Sequence, residues 1–568
     1  MADKLEEYRS GETPLPANYR LWPLYGAGLE SLGQNGLPIE MGMPAYGPDE
    51  LLIRHDACGL CFSDIKVINQ GQSHPRIFKN MQTDPVVLGH EVSMTVMGVG
   101  EALRSQYHVG DRLTLETDIA TEGKMLAYGY FFQGGLSQYS RIDRRIIYSD
   151  HGDNLIRLKP EIGYAESALT EPWACVVAAY RLEYRSAIKP GGVTWIIGTG
   201  RDWPYTISAG LDQSAHPARL LLTNVPPAFS AWLKQRAQAL GVSVDEVADV
   251  ARPPVEFADD IILLGANAEL IEALSPRLAM FGVMALMDDA PMPRAVSVDV
   301  GRIHYHRWVY VGARGTDIAA AYRQVPVRSS IKPGGRAWFV GAGGPMGRMH
   351  VQRAIEFANG PAVMVCTDVS DLRLRELCDT FEPEAKAKGI EWVCVNPSNK
   401  EEYARVMAPY FAQGFDDIVM LVPVPAVISD AARYLAPRGV MNVFAGVARG
   451  TMAALDLSQA YLSDQRVIGH SASAMSDMQL VLNKWQDKQL SPNRSVAAIG
   501  SLSAAWNGLK AVKDTTFAGK VVIYPNIKEF PLTELSDLKE ILPTVYAKLD
   551  GGEWTNAAEE EFLRLMLP

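Results

Sequence analysis

The feature that most constrains this 568-residue chain is an internal repeat. The segment RSAIKPGGVTWIIGTG begins at Arg185, and RSSIKPGGRAWFVGAG begins at Arg328, 143 positions later. ADDIILL around Asp260 returns as FDDIVML around Asp417, and two further matches follow at the same spacing of 157 positions. Four matching segments in one order predict a duplicated domain. The change in spacing predicts that the first copy lacks about 14 residues between its first and fourth strands.

Each copy alternates short apolar runs with stretches of helical composition, as in RAWFVGA, AVMVCTD, IEWVCVN, DDIVMLVP and VMNVFAG of the second copy. Such alternation predicts a parallel, doubly wound α/β domain of the Rossmann type, present twice in tandem. The segments before residue 185 are punctuated by glycine and rich in β-forming residues, which predicts a mostly antiparallel, barrel-like domain. The predicted domains are 1–186, 187–327, 328–497 and a C-terminal segment, 498–568, that returns to the first.

The composition narrows the classes of function. A net charge of −11 disfavours a nucleic-acid partner, which needs a basic surface to neutralise phosphates. No apolar run approaches the ~20 residues of a membrane helix, and the acidic start MADKLEEYRS is unlike a secretory signal. Six cysteines in so long a chain do not indicate a disulfide framework. We therefore expect a globular cytoplasmic protein with neither a nucleic-acid nor a membrane partner.

A glycine-rich loop in the second copy predicts a dinucleotide site. The strand RAWFV runs into this loop and a helical stretch follows, which is the context that such a site needs. The loop comprises Gly341, Ala342, Gly343, Gly344, Pro345, Met346 and Gly347. Asp368, 21 positions after Gly347, ends the next predicted strand, where a carboxylate accepts hydrogen bonds from the adenosine ribose. We expect NAD(H) rather than NADP(H) as the cofactor, although Arg373 lies nearby and leaves NADP(H) as the alternative.

The first copy departs from this fingerprint at both places. Its loop reads Gly198-Thr-Gly-Arg-Asp-Trp-Pro204, so proline stands about where the close-packing glycine would be, and Trp203 would crowd a pyrophosphate. Asn224 stands where the second copy has the ribose carboxylate. We interpret the first copy as a scaffold or an interface rather than a second cofactor site.

A possible metal site comes from three scattered residues. Cys61 lies in CGLCFSDIK, His90 in VVLGHEV and Glu171 in ALTEPWACVVAAY. Thiolate, imidazole and carboxylate are ligands that suit zinc, and a catalytic zinc keeps three protein ligands and one open position.

In these motifs the chain resembles the zinc-containing medium-chain alcohol dehydrogenases. Gly59 to Asp64 matches the family's first zinc motif, and Gly89-His90-Glu91 matches the second. The resemblance implies a GroES-like catalytic domain, zinc held by Cys61 and His90, and either Glu91 or Glu171 as the third ligand. It also implies that Ser63 relays the substrate proton.

Within that family the chain is most similar to sorbose-1-phosphate reductases and sorbitol-type dehydrogenases, on GYFFQGGLSQY, EPWACVVAAY and FDDIVMLVPVPAVI. Many relatives carry a four-cysteine structural zinc lobe, but no cysteine occurs here between Cys61 and Cys175. We therefore expect one catalytic Zn²⁺ and no structural zinc. The family's habits imply a homo-oligomer, a dimer or a tetramer.

The resemblance implies an NAD(P)-linked dehydrogenase of a polyol or ketose, phosphorylated or not. One alternative is a sugar epimerase or lyase that retains NAD and oxidises its substrate only transiently. A second alternative is a non-catalytic NAD-binding sensor or assembly protein. The presence of Cys61, Ser63, His90 and Glu171 argues against the second, because a sensor has no need of a proton relay beside a metal site.

Overall fold

The computed structural model describes residues 4–181, 185–323, 330–470 and 472–568. Two compact units share the chain. The first comprises Met1–Val177, Gly344–Met349 and Ser473–Pro568, and the second comprises Ala178–Gly343 and His350–Ala472. Arg328 and the predicted boundary between residues 327 and 328 lie outside the described residues. In the described part of the chain, no helix is both long and apolar enough to cross a membrane.

The N-terminal part of the chain contains short strands and few helices. Its strands are β1 (Asn18–Leu21), β2 (Pro23–Leu24), β3 (Ile39–Gly42), β4 (Leu51–Gly59), β5 (Val86–Val87), β6 (Glu91–Val99), β7 (Arg112–Leu115), β8 (Asp118–Thr121), β9 (Lys124–Ala127), β10 (Tyr139–Ile142) and β11 (Leu155–Arg157). Its helices are α1 (Lys4–Ser10), α2 (Phe62–Gln70), α3 (Arg144–Ile147), α4 (Tyr164–Ala168) and α5 (Thr170–Ala178).

The first copy of the repeat follows. Its strands are β12 (Val193–Gly198), β13 (Arg219–Thr223), β14 (Ser243–Glu246), β15 (Ala258–Leu264), β16 (Leu278–Met287), β17 (Val296–Asp299) and β18 (Val309–Ala313). Its helices are α6 (Pro227–Leu240), α7 (Ala268–Leu274), α8 (Val300–His306) and α9 (Ile318–Arg323).

The second copy and the C-terminal segment complete the chain. The strands are β19 (Arg336–Val340), β20 (Val363–Thr367), β21 (Glu391–Val395), β22 (Phe415–Met420), β23 (Leu435–Val443), β24 (Met452–Leu455), β25 (Arg466–Ile468), β26 (Val496–Ser501), β27 (Lys520–Tyr524) and β28 (Thr533–Glu534). The helices are α10 (Pro345–Glu356), α11 (Asp371–Ala387), α12 (Lys400–Gln413), α13 (Pro425–Ala432), α14 (Gln459–Leu462), α15 (Met475–Gln486), α16 (Ala505–Asp514), α17 (Leu538–Ile541), α18 (Pro543–Tyr546) and α19 (Asn556–Met566).

The first unit is built on one mostly antiparallel sheet, in the order β11-β7-β6-β4-β27-β26-β28, with β10 also paired to β4. The C-terminal strand β27 pairs with β4, where Ile523 faces Cys58 and Val522 faces Gly59. The end of the chain therefore completes the sheet that carries the cysteine motif. A mostly β first domain is confirmed.

The second unit holds two six-stranded parallel sheets with the same strand order. The sheets run β14-β13-β12-β15-β16-β18 and β21-β20-β19-β22-β23-β25, which is the third-second-first-fourth-fifth-sixth order of a Rossmann domain. Side-chain contacts repeat as well. Trp195 donates to Thr223 Oγ1 at 3.0 Å in the first copy, and Trp338 donates to Thr367 Oγ1 at 3.0 Å in the second. The tandem, doubly wound arrangement is confirmed.

The two copies differ in their helices. In the second copy, α10 follows the first strand and α12 follows the third. The corresponding connections of the first copy, residues 199–218 and 247–257, are described throughout and contain no helix. Most of the length difference between the copies lies in the connection after the third strand. There β14 and β15 begin 15 positions apart, whereas β21 and β22 begin 24 apart.

Candidate metal and nucleotide sites

Cys61, His90 and Glu91 bring three potential metal-ligand atoms together, all within 4.8 Å of one another. It is the one such group of histidine, cysteine and acidic side chains found within the described ranges. His90 is 7% exposed and Glu91 is fully buried, while Cys61 is half-buried. One side of the group is therefore screened from water and the other is accessible.

Local structure explains how distant residues meet here. β4 ends at Gly59, which pairs with Glu91, the first residue of β6, in antiparallel register. Cys61 follows as the N-cap residue of α2, and His90 directly precedes β6. The strand pairing thus places the two motifs side by side.

Asp64 orients two of the three residues. Its Oδ2 accepts the backbone N–H of Cys61 at 3.0 Å, and its Oδ1 lies 3.2 Å from His90 Nδ1. Because a carboxylate only accepts, Nδ1 carries a proton, and Nε2 is the ring nitrogen that can bind a metal once the metal displaces its proton. Burial lowers the pKa of His90, but the Asp64 carboxylate outweighs it and the pKa lies well above its ordinary value.

Glu91 is held by a buried lysine from the C-terminal segment. Lys520, the first residue of β27, donates to Glu91 Oε1, and the two side chains are 4% and 0% exposed. The second oxygen, Glu91 Oε2, is buried and has no hydrogen-bond partner. The Coulomb attraction to Glu91 outweighs burial and raises the pKa of Lys520, so the lysine is charged. The charge of Glu91 is therefore already compensated.

Glu171, the second residue of α5, lies in the same electrostatic neighbourhood. It is 8% exposed, and Cys175 Sγ lies 3.7 Å from its Oε1. Burial raises the pKa of Glu171 to about 7, with His90 lowering it and Glu91 raising it. The nearby positive charges are therefore too weak to offset burial and keep the pKa of Glu171 at its ordinary value.

A further buried carboxyl, Glu116, adjoins this neighbourhood. Burial raises its pKa to about 8, and the charges of Asp118 and Glu171 add to the effect. Ser473 donates to its Oε2 at 3.1 Å. The cluster of buried carboxyl groups therefore includes Glu116 in addition to the residues that the motifs identify.

Ser63 lies against the metal-ligand group. Its Oγ is 2.8 Å from Cys61 Sγ and 3.4 Å from His90 Nε2. The side chain is half-buried in the first turn of α2. This is a position from which a hydroxyl can exchange a proton with a bound molecule.

Three residues of this site escape motif reasoning to different degrees. Asp64 is the last residue of the motif from Gly59 to Asp64. Its place in that motif suggests a role, but the spacing of the motif does not say what the role is. Lys520 carries no local signal, because it lies 429 positions from Glu91. No sequence motif marks Glu116 either, since only folding brings it into the buried site.

The glycine loop of the second copy connects β19 to α10. Gly341 has a φ of +87°, and its N–H donates to Thr367 O at 2.8 Å. A Cβ on Gly343 would lie 2.6 Å from Arg373 Cβ and 3.0 Å from Asp368 Oδ2, so only glycine fits. The loop continues through Gly344 into α10, which begins at Pro345 and includes Met346 and Gly347.

Asp368 lies directly after β20, with its carboxylate against this loop. Its Oδ2 accepts the Gly343 N–H at 3.0 Å, and its Oδ1 accepts the Ser370 N–H at 3.0 Å. Arg373 lies in the first turn of α11, close to the same carboxylate. The side chains that the fingerprint singles out in this copy, Asp368 and Arg373, therefore converge at the carboxyl edge of the sheet.

The corresponding edge of the first copy is filled by its own side chains. Arg201 forms ion pairs with Asp288 at 2.7 Å and with Asp289 at 2.8 Å, directly after β16. The same guanidinium lies 4.7 Å from the ring centre of Trp203. Asn224 follows the second strand in place of a carboxylate. No helix N-terminus faces this edge from residues 199–218, all of which are described.

Comparison with known proteins finds dehydrogenases. Residues 47–149 match the alcohol dehydrogenase GroES-like domain. A mannitol-1-phosphate 5-dehydrogenase of Aliivibrio fischeri is 21% identical over 537 residues, which cover 92% of this chain and 93% of that protein. An L-sorbose 1-phosphate reductase of Klebsiella pneumoniae is 24% identical over 316 residues, which cover 50% of this chain and 75% of that protein.

A likeness to a solved structure extends over most of the chain. The 2R,3R-butanediol dehydrogenase from Bacillus subtilis superimposes with a TM-score of 0.51 at 16% identity. The alignment covers 89% of this chain and 100% of that one. At this identity the likeness supports the fold.

Proposed function

This chain belongs to the medium-chain alcohol dehydrogenase family, and from that membership we propose that it is a zinc-dependent oxidoreductase. It transfers a hydride between NAD(H) and a secondary alcohol or ketone of a polyol or ketose. The observation that carries the proposal is the group of Cys61, His90 and Glu91 with Ser63 beside it.

The donor set fits zinc. A cysteine sulfur, the imidazole Nε2 on the side of the ring away from Asp64, and a buried carboxylate are the ligand types of catalytic zinc sites. Bound there, zinc supplies Lewis-acid polarisation of the substrate oxygen. The half-buried Cys61 leaves the group accessible on one side, as an open coordination position requires.

We propose Glu171 as the third ligand, with Glu91 as the alternative. Glu91 is close to Cys61 and His90, but Lys520 already neutralises its charge. Glu171 is a buried carboxylate whose pKa is raised to about 7, so a nearby cation would stabilise its charged form. Glu91 Oε2 has no partner, which keeps the alternative chemically reasonable.

Ser63 is the group we assign to proton transfer. Its hydroxyl contacts both Cys61 and His90, and its side chain is half-buried at the start of α2. A hydroxyl both donates and accepts, so it can take the substrate proton and pass it outward.

The nicotinamide cofactor belongs to the second copy in this proposal. Gly341, Gly343 and Gly344 lead into the N-terminus of α10, where free N–H groups suit a pyrophosphate. The Asp368 carboxylate lies where a ribose hydroxyl pair would be held, and its charge disfavours a 2′-phosphate. NAD(H) is therefore proposed over NADP(H), and the first copy is proposed to bind neither.

The substrate class rests on the relatives, whose names denote enzymes of mannitol 1-phosphate and sorbose 1-phosphate. Polyols, ketoses and their phosphates should be screened with NAD(H) and NADP(H) while the absorbance of the reduced nicotinamide is followed. We expect net NADH turnover with at least one of them. A protein that purifies with bound NAD and shows no net turnover would instead support the epimerase or lyase alternative.

Metal analysis tests the ligand assignment. The purified chain should hold about one zinc, since a catalytic site alone is proposed. Glu171→Gln should lower the zinc content more than Glu91→Gln does. The reverse order would transfer the ligand role to Glu91, and a zinc content near zero in the parent protein would contradict the mechanism.

A further inference from the structure

The two copies meet through a pair of equivalent strands. β17 of the first copy pairs antiparallel with β24 of the second, in the register Val296↔Leu455, Ser297↔Ala454, Val298↔Ala453 and Asp299↔Met452. The repeat relates each residue of the first copy to the one 157 positions later. Ser297 thus faces its own equivalent, Ala454, and the neighbouring pairs exchange places around it. This is the pairing that a two-fold axis between Ser297 and Ala454 produces.

The hydrogen bonds beside this pair obey the same symmetry. The Ser297 N–H donates to Glu272 Oε1 at 2.8 Å, and the Ala454 N–H donates to Ser429 Oγ at 2.9 Å. Glu272 and Ser429 are themselves 157 positions apart. Each copy therefore caps its own strand from the equivalent position.

Two close approaches repeat the reciprocity farther from the axis. A Cβ on Gly312 would lie 2.7 Å from Tyr461 Cβ, and a Cβ on Gly469 would lie 2.6 Å from His304 Cα. Gly312 and Gly469 are equivalent, and so are His304 and Tyr461. Glycine at both places lets the fifth connection of one copy pack against the other copy in its sixth strand, at Gly312, or directly after it, at Gly469.

The interface is apolar and continuous with both domain interiors. One hydrophobic cluster contains Trp195 of the first copy and Trp338 of the second, together with Val296, Val298 and Leu455 from the paired strands. All of them are 2% exposed or less. Such a core is typical of permanent subunit interfaces rather than of loosely docked domains.

Reciprocal contacts between equivalent residues define an isologous interface, the kind found in two-fold symmetric dimers. We propose that the first copy acts as a built-in second subunit. It occupies, within one chain, the face through which two second copies would otherwise pair. That face is closed to another chain, so any homo-oligomer must use a different surface.

The pattern of loss in the first copy supports this assignment. The helices missing from it lie in the connections after its first and third strands, 199–218 and 247–257. The elements that make the reciprocal contacts, β17, α8 and β18, are all present and match β24, α14 and β25. The first copy has kept its interface and lost elements that a nucleotide site needs.

Disulfide trapping across the axis tests the proposal. Because the N–H groups of Ser297 and Ala454 donate elsewhere, the two form a non-hydrogen-bonded pair, whose Cα atoms stand about 4.5 Å apart, within disulfide reach. The double variant Ser297→Cys/Ala454→Cys and the single variant Ala454→Cys should be oxidised with oxidised glutathione, with the parent protein as control for its six native cysteines.

We expect the double variant to form a disulfide within one chain. It should run at about the 62.2 kDa of a single chain on a non-reducing denaturing gel, and mass spectrometry should find the two strand peptides linked. The single variant should give no more covalent dimer than the parent, because Ser297 of the same chain covers Ala454.

Three results would overturn the proposal. A covalent dimer of Ala454→Cys would show that two second copies meet across the axis. A linked dimer of the double variant would show that the first copy pairs with a different chain. New thiols that stay fully titratable after oxidation of the double variant would show that the two strands do not face each other in solution.

Discussion

Lys520 forms a buried ion pair with Glu91, which joins the first residue of the C-terminal strand β27 to the first residue of β6 across 429 positions of sequence. Glu91 directly follows His90, so this contact connects the end of the chain to the proposed metal site. Its consequences reach both stability and metal binding.

Replacing Lys520 by methionine should destabilise the fold strongly. The change leaves the Glu91 carboxylate buried without its counter-charge, which costs about 3–5 kcal/mol in the free energy of unfolding. Urea denaturation measures the effect. The double variant Lys520→Met/Glu91→Gln should recover much of the loss because it removes both charges of the pair. Lys510→Met, which removes an exposed pair with Asp514, is the matched control and should change stability little.

Replacing Cys61 by alanine should remove zinc and abolish turnover while NADH binding is kept. The sulfur is a proposed ligand, whereas the nucleotide contacts lie in the second copy. Zinc content, steady-state rate and NADH fluorescence titration separate these effects. Unchanged activity would exclude Cys61 as a ligand. Cys366→Ala is the control, since that buried thiol lies in β20 and is not a proposed ligand.

Replacing Asp368 by alanine should weaken NAD binding and reduce the preference for NAD over NADP. A lost hydrogen bond to a charged group is worth about 1.5–3 kcal/mol, or roughly 10- to 150-fold in the dissociation constant for NAD. Calorimetric titration with both cofactors gives the ratio. The equivalent change in the first copy, Asn224→Ala, should leave both constants unchanged. Equal effects of the two variants would contradict the proposal that the first copy binds no nicotinamide cofactor.

Replacing Gly312 by alanine should destabilise the second unit by about 1–3 kcal/mol through overpacking. The new Cβ would lie 2.5 Å from Leu286 O and 2.7 Å from Tyr461 Cβ. Gly469→Ala should have a similar cost, because its Cβ would meet the His304 backbone. Gly315→Ala, where no atom lies within 4 Å, should cost little. Thermal unfolding of the three variants distinguishes the interface glycines from the open one.

Buried His55 should make stability depend on pH. Burial lowers its pKa to about 3 from an ordinary 6.5. Between these two pH values the imidazole is neutral in the folded protein and protonated in the unfolded chain. The contribution is complete above pH 6.5 and is lost as the pH falls toward 3, with a slope of up to about 1.4 kcal/mol per pH unit. His55→Gln should flatten the measured curve between pH 6 and 4. His151→Gln, at the surface, should leave its slope unchanged.

Sequence patterns by themselves determined the tandem fold and the positions of the candidate groups. Repeats and glycine loops are local signals, because a turn or a close backbone approach restricts residue type within a few positions. The strand-loop-helix prediction around Gly341 needed nothing more, whereas the link between the Cys61 and His90 motifs came from the family resemblance. The family resemblance rested on the same short phrases and is confirmed.

Tertiary structure alone decided what depends on distant partners. The pairing of β27 with β4 brings Lys520 to Glu91, and no pattern within either segment encodes that meeting. The reciprocal faces of the two copies likewise exist only once β17 and β24 pair. Charge compensation and interface symmetry depend on which residues are buried next to each other. Strand pairing between segments that are far apart in sequence decides which residues those are.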